Sequence, residues 1–146
     1  MKLNPSKCTF RVTTGKFLGF TVSQSGIEVN SEKIQAIMEL TPPKTVKEVQ
    51  SLNNKVAALN RFISRATGKC LPFFHTLKKS FEWTTECQQA FEDLKSYLSS
   101  PPLLSPSKPE KELFLYLAVS TTAVSATLIK EEDGVQKPVY FTSQAL

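Results

Sequence analysis

Between residues 45 and 63, apolar side chains fall at Val46, Val49, Leu52, Val56, Leu59 and Ile63, spaced mostly three and four apart. An α-helix puts such positions on one side, because about 3.6 residues complete a turn. Thr45 and Glu48 open the segment as a capping box, hydroxyl and carboxylate each expected to satisfy a free amide of the first turn. Burying each large aliphatic is worth roughly 1.5–3 kcal/mol before entropy is counted, so this stripe is a core face. Away from it, Lys47, Ser51, Asn54, Lys55, Arg61 and Arg65 make a basic, amide-bearing surface.

The elements around this helix follow from local pattern. Cys8–Val12 alternates, Thr13-Thr14-Gly15 supplies a turn, and Lys16–Val22 reads as a second strand, so the pair forms a hairpin. Ser23–Gly26 turns again, and Ile27-Glu28-Val29 adds a short third strand. Asn30 or Ser31 then caps a helix through about Leu40, broken by Thr41-Pro42-Pro43-Lys44. Farther on, Pro72 fits the first turn of a short helix carrying Phe73, Phe74 and Leu77 inward, with Lys78 and Lys79 at its end. Thr84 caps a helix near 85–98, striped by Cys87, Ala90, Phe91, Leu94, Tyr97 and Leu98. After a linker at Ser105–Pro109, LFLYLAVSTTAVSATLI (113–129) reads as two strands around Ser120-Thr121-Thr122. A third, Pro138–Phe141, follows the Asp133-Gly134 turn. The fold class is therefore α+β: an N-terminal hairpin, a helical segment and a C-terminal β-meander.

Charge divides the 146 residues unevenly. Residues 1–80 hold 13 Lys/Arg against 4 Glu and no Asp, a net of +9, whereas residues 81–146 hold 5 Lys against 9 acids, a net of −4. A basic half of this kind suggests a polyanion contact, the alternative from charge alone being a well-solvated surface. Hydrophobic content of 40% supports a packed core. No apolar run approaches the roughly 20 residues of a bilayer span, and the N-terminus lacks a signal-peptide core, so an intracellular protein without a membrane partner is expected. Cys8, Cys70 and Cys87 lack CxxC spacing and read as reduced thiols.

Catalytic chemistry fails by absence. Lys16 follows Gly15 but lacks the rest of a phosphate-cradling loop. Cys70, His75 and Cys87 match no common zinc spacing, so no metal site is expected. One His and no G-x-S-x-G leave no nucleophilic triad. Two-metal phosphoryl chemistry needs converging carboxylates, and the two aspartates, Asp93 and Asp133, lie on a helix and in a turn. Catalytic residues expected from the sequence are none.

The stretches KFLGFTVSQSGIEVNSEKIQAI, TPPKTVKEVQSLNNKVAALNRFIS, LPFFHTLKKSFEWTTECQQAFEDLKSYLSSPPLL, LFLYLAVSTTAVSATLI and PVYFTSQAL, in that order, resemble the reverse transcriptase of a gypsy-class long-terminal-repeat retrotransposon, most nearly those of plants. The resemblance implies that residues 1–30 are the end of the palm, residues 31–79 a thumb-like helical segment, and residues 80–146 the connection and the truncated start of an RNase H-like domain. It places Leu18, Gly19 and Phe20 at the primer-grip hairpin, and it implies that Lys47, Lys55, Arg61 and Arg65 track a template–primer backbone. Taken alone, such charges are usually just solvated. The family's Y-x-D-D motif would lie upstream of this chain. Where the family's RNase H-like strand reads Tyr-Thr-Asp-Ala-Ser, this chain has Tyr116-Leu117-Ala118-Val119-Ser120, so Ala118 stands at the degenerate catalytic position.

The function implied is that of a fragment of a reverse transcriptase/RNase H polyprotein that binds template and primer but lacks both sets of catalytic residues. Its implied partners are RNA–DNA or duplex nucleic acid, bound without sequence preference, and the remainder of the polyprotein. No cofactor is expected in this chain, although the complete enzyme would use Mg²⁺. The expected location is the cytoplasm, a virus-like particle or the nucleus. The alternatives are a domesticated basic module binding RNA or a protein partner, and an enzyme whose acids come from a partner chain.

Overall fold

A computed structural model describes residues 4–78 and 81–146. Among these residues the chain forms two three-stranded antiparallel sheets and four α-helices, which bears out the α+β class. The first sheet is a meander of β1 (Thr14–Phe17), β2 (Phe20–Ser23) and β3 (Gly26–Val29). This corrects the expected hairpin at both strands. Residues 8–12 are not a strand, and the run 16–22 folds back on itself at Leu18-Gly19. Both turn residues take positive φ, 49° and 78°, the conformation that matches the twist of a two-residue hairpin.

Helix α1 (Ser31–Met38) is capped by Asn30, whose side chain accepts from the Glu32 amide at 3.0 Å. Helix α2 (Val46–Ala57) begins with the Thr45 hydroxyl accepting from the Glu48 amide at 3.3 Å. The Glu48 carboxylate reaches one residue farther back than the capping box predicts and accepts from the Lys44 amide at 2.6 Å. Val49, Leu52, Val56, Leu59 and Ile63 are buried as the stripe requires. Val46 is not; in the first turn it stays 38% exposed. A 3₁₀ turn at Asn60–Phe62 follows and buries Phe62.

Helix α3 (Ala66–Lys78) starts six residues earlier than Pro72 suggested and carries that proline inside it. Proline removes one helical donor and crowds the carbonyl four residues back, which here belongs to Gly68. Tertiary packing overrides that local cost: Phe73 and Cys70 are buried, and Trp83 stacks on Phe73 at 5.8 Å while meeting Phe91 edge-on at 6.0 Å. Lys79, expected at the end of this helix, lies outside the described residues. Helix α4 (Thr85–Ser99) forms as read, with Thr84 accepting from the Cys87 amide and Cys87, Phe91, Leu94 and Leu98 buried. Its Lys95 ammonium donates to the carbonyls of Met38 and Leu40 at 2.9 and 2.6 Å, which fixes the end of α1. No helix among the described residues is long and apolar enough to cross a membrane.

The second sheet is the meander β4 (Leu113–Val119), β5 (Ala123–Glu132) and β6 (Val135–Ala145). Asp133 and Gly134 turn β5 into β6 with φ of 55° and 75°. A bulge places Leu128 opposite Tyr140 but Ile129 opposite Pro138, so Val139 is the extra residue and the proline is accommodated there. Glu132, at the end of β5, is engaged in ion pairs. It pairs with Lys137 at 2.8 Å and with the largely buried Lys130 at 3.5 Å. The segment read as a linker is anchored at its start: the Ser105 amide donates to the Pro138 carbonyl of β6 at 2.8 Å, and Leu104 just before it exchanges two backbone hydrogen bonds with Ile27 of β3.

Candidate nucleic-acid interface

The polar side of α2 faces a broad groove shared with α1. Lys33 and Ala36 of α1 and Lys47, Gln50, Ser51, Asn54, Lys55 and Ala58 on and beside α2 line it, enclosing about 580 Å³. No acidic side chain lines it. Three lysines thus stand around a wall of small, amide and hydroxyl residues. That arrangement suits a polyanion whose charged backbone meets lysines while its uncharged parts meet amides and hydroxyls.

Of the residues singled out in the sequence, the structure brings Lys47 and Lys55 together in this groove. Arg61 stands elsewhere, with its guanidinium 5.4 Å from the Phe20 ring and 5.3 Å from the Tyr140 ring, between the two sheets. Cation–π contacts of this kind hold sheet to sheet as readily as they hold a ligand. Phe20 packs on Phe62 at 5.4 Å and carries the Lys33 ammonium on its ring at 5.1 Å. Leu18 and Gly19 form the tip of the β1–β2 turn, and Leu18 is 76% exposed. Arg65 is exposed with φ 53° and lines a separate cavity of about 240 Å³ with Gly68, Ala118, Ser120, Ser125 and Ser143.

Lys33 and Gln50 were missed by sequence reasoning. Lys33 joins the groove only through the packing of α1 against α2, which no local pattern announces. The α2 side had a signal: 47, 51, 54 and 58 repeat the three-and-four spacing of the apolar stripe on another side of the helix.

Cys70, His75 and Cys87 match no zinc spacing in the sequence, and their exposure differs in the fold. Cys70 and Cys87 are buried and His75 is exposed. Burial pushes the Cys70 thiol up to about 12. Cys87 is held by the Thr84 hydroxyl at 3.3 Å and by a 3.6 Å contact from its sulfur to the Pro72 carbonyl. Among the described residues no three His, Cys, Asp or Glu side chains are placed to hold a metal.

Residues 83–146 match the RNase H-like domain found in reverse transcriptase. The matched stretch takes in α4 and the whole second sheet. The chain is also 32% identical over 144 residues to the Transposon Tf2-3 and Tf2-4 polyproteins of Schizosaccharomyces pombe, which covers 97% of this chain and 11% of each relative. It thus spans about a ninth of the length of those relatives. In three dimensions it resembles the foamy viral protease-reverse transcriptase in complex with dsDNA, with a TM-score of 0.75 and 24% identity over 92% of this chain and 29% of that one. The same viral protein in complex with RNA/DNA hybrid gives 0.73 and 25%, over 92% and 19%. These likenesses in fold extend beyond residues 83–146, since they cover more than nine-tenths of the chain.

Proposed function

We propose that this chain serves a retrotransposon reverse transcriptase polyprotein by holding nucleic acid, and that it performs neither polymerisation nor RNA cleavage. The observation that carries the holding role is the groove of Lys33, Lys47 and Lys55, with Gln50, Ser51 and Asn54 between them and no acid in its lining. The lysines take backbone phosphates of an RNA–DNA or duplex ligand, which makes binding indifferent to sequence. The β1–β2 tip at Leu18-Gly19 adds an apolar contact beside the same ligand, and residues 31–79 act as the thumb-like segment. The remainder of the polyprotein supplies the catalytic groups.

Support for the non-catalytic half comes from the cavity beside Ala118. Its lining is Arg65 with small and hydroxyl residues, and it contains no carboxylate. A divalent cation does not fit there, because it would meet a guanidinium and no anionic ligand. Ala118 pairs with Ser125, and the acids Glu131, Glu132 and Asp133 begin six residues farther along β5, roughly 20 Å at the rise of a strand.

Fluorescence anisotropy with a labelled hybrid over a salt series tests the holding role. If about four phosphates are neutralised, log affinity falls with log salt at a slope of roughly −3 to −4. Lys47→Glu with Lys55→Glu lowers that slope by about two and weakens binding about equally for all sequences. Salt-independent affinity, or no binding at low salt, would overturn the reading. Hybrid degradation assays with Mg²⁺ or Mn²⁺ test the other half: both the native chain and Ala118→Asp leave the hybrid intact. Chelator-sensitive cleavage by the native chain would show that a site had been overlooked.

A further inference from the structure

A second cavity, of about 220 Å³, lies against α2 and α3, with Asn53, Asn54, Asn60, Thr67, Cys70 and Phe74 among its lining residues. Unlike the lysine groove, its wall carries no charged side chain among the described residues, and burial keeps the Cys70 thiol protonated and neutral. Thr67 and Asn60 are already engaged, both hydrogen-bonded to the Ser143 hydroxyl. Asn53 is not. Its Oδ1 and Nδ2 each expose less than 1 Å² and have no hydrogen-bond partner among the described residues. Buried amides with neither bond made are rare in folded proteins, and each calls for a reason. Position 53 follows the buried Leu52, where an aliphatic side chain would incur no such cost.

Asn54 lines both this cavity and the lysine groove, so the two meet at one residue of α2. We propose that the cavity receives one unstacked nucleobase of a strand whose phosphates lie in the lysine groove, with the Asn53 amide pairing to the base edge and Phe74 against its face. This rests on the nucleic-acid reading and adds to it a preference for an unpaired nucleotide. The uncharged side chains that line it among the described residues offer phosphate no counter-charge. Its volume falls below the roughly 300–1,000 Å³ of drug-sized sites and suits a single ring system. A carboxamide presents one donor and one acceptor side by side, the complement of a base edge such as that of adenine. Splayed bases held on an aromatic face are the usual currency of single-strand recognition. Because the amide is shielded from water in the free chain, the base enters as Asn53 turns about its side-chain torsions.

The test compares a duplex with the same duplex carrying one bulged adenosine, and with an abasic residue at the bulge, for the native chain and Asn53→Leu. The native chain is expected to bind the bulged duplex about tenfold more tightly than the other two. Asn53→Leu is expected to keep duplex affinity, to melt at the same or a higher temperature, and to lose the tenfold preference. Adenosine alone, titrated while the Asn53 side-chain amide resonances are followed by NMR, reports on the cavity without the lysine groove; a saturable shift is expected. Equal binding of all three duplexes by the native chain, or an undiminished preference in Asn53→Leu, would overturn the base pocket while leaving the lysine groove standing. No binding of any duplex would instead remove the nucleic-acid reading, and an adenosine titration without a shift would then remove the pocket as well.

Discussion

Helix α2 and strand β4 are built from similar apolar residues, yet one is sealed and the other is open. Val49, Leu52, Val56 and the following Leu59, Phe62 and Ile63 are buried, whereas Leu113, Phe114, Leu115, Tyr116, Leu117 and Val119 are 41–73% exposed. The stripe of α2 sits on one side and meets the neighbouring helices together. In β4, successive side chains point to opposite faces, both faces are apolar, and β5 is the only strand beside it among the described residues. A strand apolar on both faces has the pattern of one covered from both sides. Apolar content alone therefore does not make a core; its period must match the number of surfaces that the neighbours cover.

The sharpest way to break the comparison is a charge in each place. Leu52→Asp leaves an unpaired carboxylate in the helical core and costs about 4 kcal/mol or more, so circular dichroism should show the helices lost. Leu115→Asp, on exposed β4, should shift the melt by no more than about 0.5 kcal/mol. Equal unfolding of the two would mean that β4 contributes to the core as α2 does.

A smaller effect is expected at the joint between the regions. Gly26 has φ of 144°, and a Cβ there would lie 2.1 Å from the Leu104 carbonyl oxygen. Gly26→Ala must strain the backbone or part β3 from Leu104, costing about 1–3 kcal/mol in denaturant melts. Loss of less than that would show that the joint yields freely.

The smallest effect concerns pH. The Lys137 ammonium, hydrogen-bonded to Glu132, and the nearby Lys130 hold that carboxyl below its usual range. A depressed folded-state value gives stability that is present above the unfolded carboxylate value and lost as pH falls through the folded one. The β5–β6 hairpin end should thus loosen slightly on acidification, and Glu132→Gln should remove that part of the pH dependence. Amide exchange at residues 130–137, compared across this range, checks it.

What the sequence disclosed tracks how local each cause is. Helices α2 and α4 were legible because a threonine cap and a three-and-four stripe lie within one segment. The turn at Leu18-Gly19 was not, since leucine gives no sign of adopting a positive φ. Pro72 suggested a helix start, but the aromatic stack of Phe73 and Trp83 sustains the helix through it. Lys47 and Lys55 could be read as one basic face, whereas Lys33 joins them only through tertiary packing. Asn53 was not singled out in the sequence, because burial of its amide depends on what packs over α2.

Leu104 and Ser105 bond to β3 on one side and to β6 on the other. Mechanically, they are a stitch rather than a tether. A tug on the β1–β2 tip, where a bound strand would press, has a path through β3 and two consecutive residues into the sheet that carries Ala118. Between the two ends of the chain this path runs through hydrogen-bonded backbone, and the proline-rich stretch that follows, Pro106 to Pro109, lies outside it.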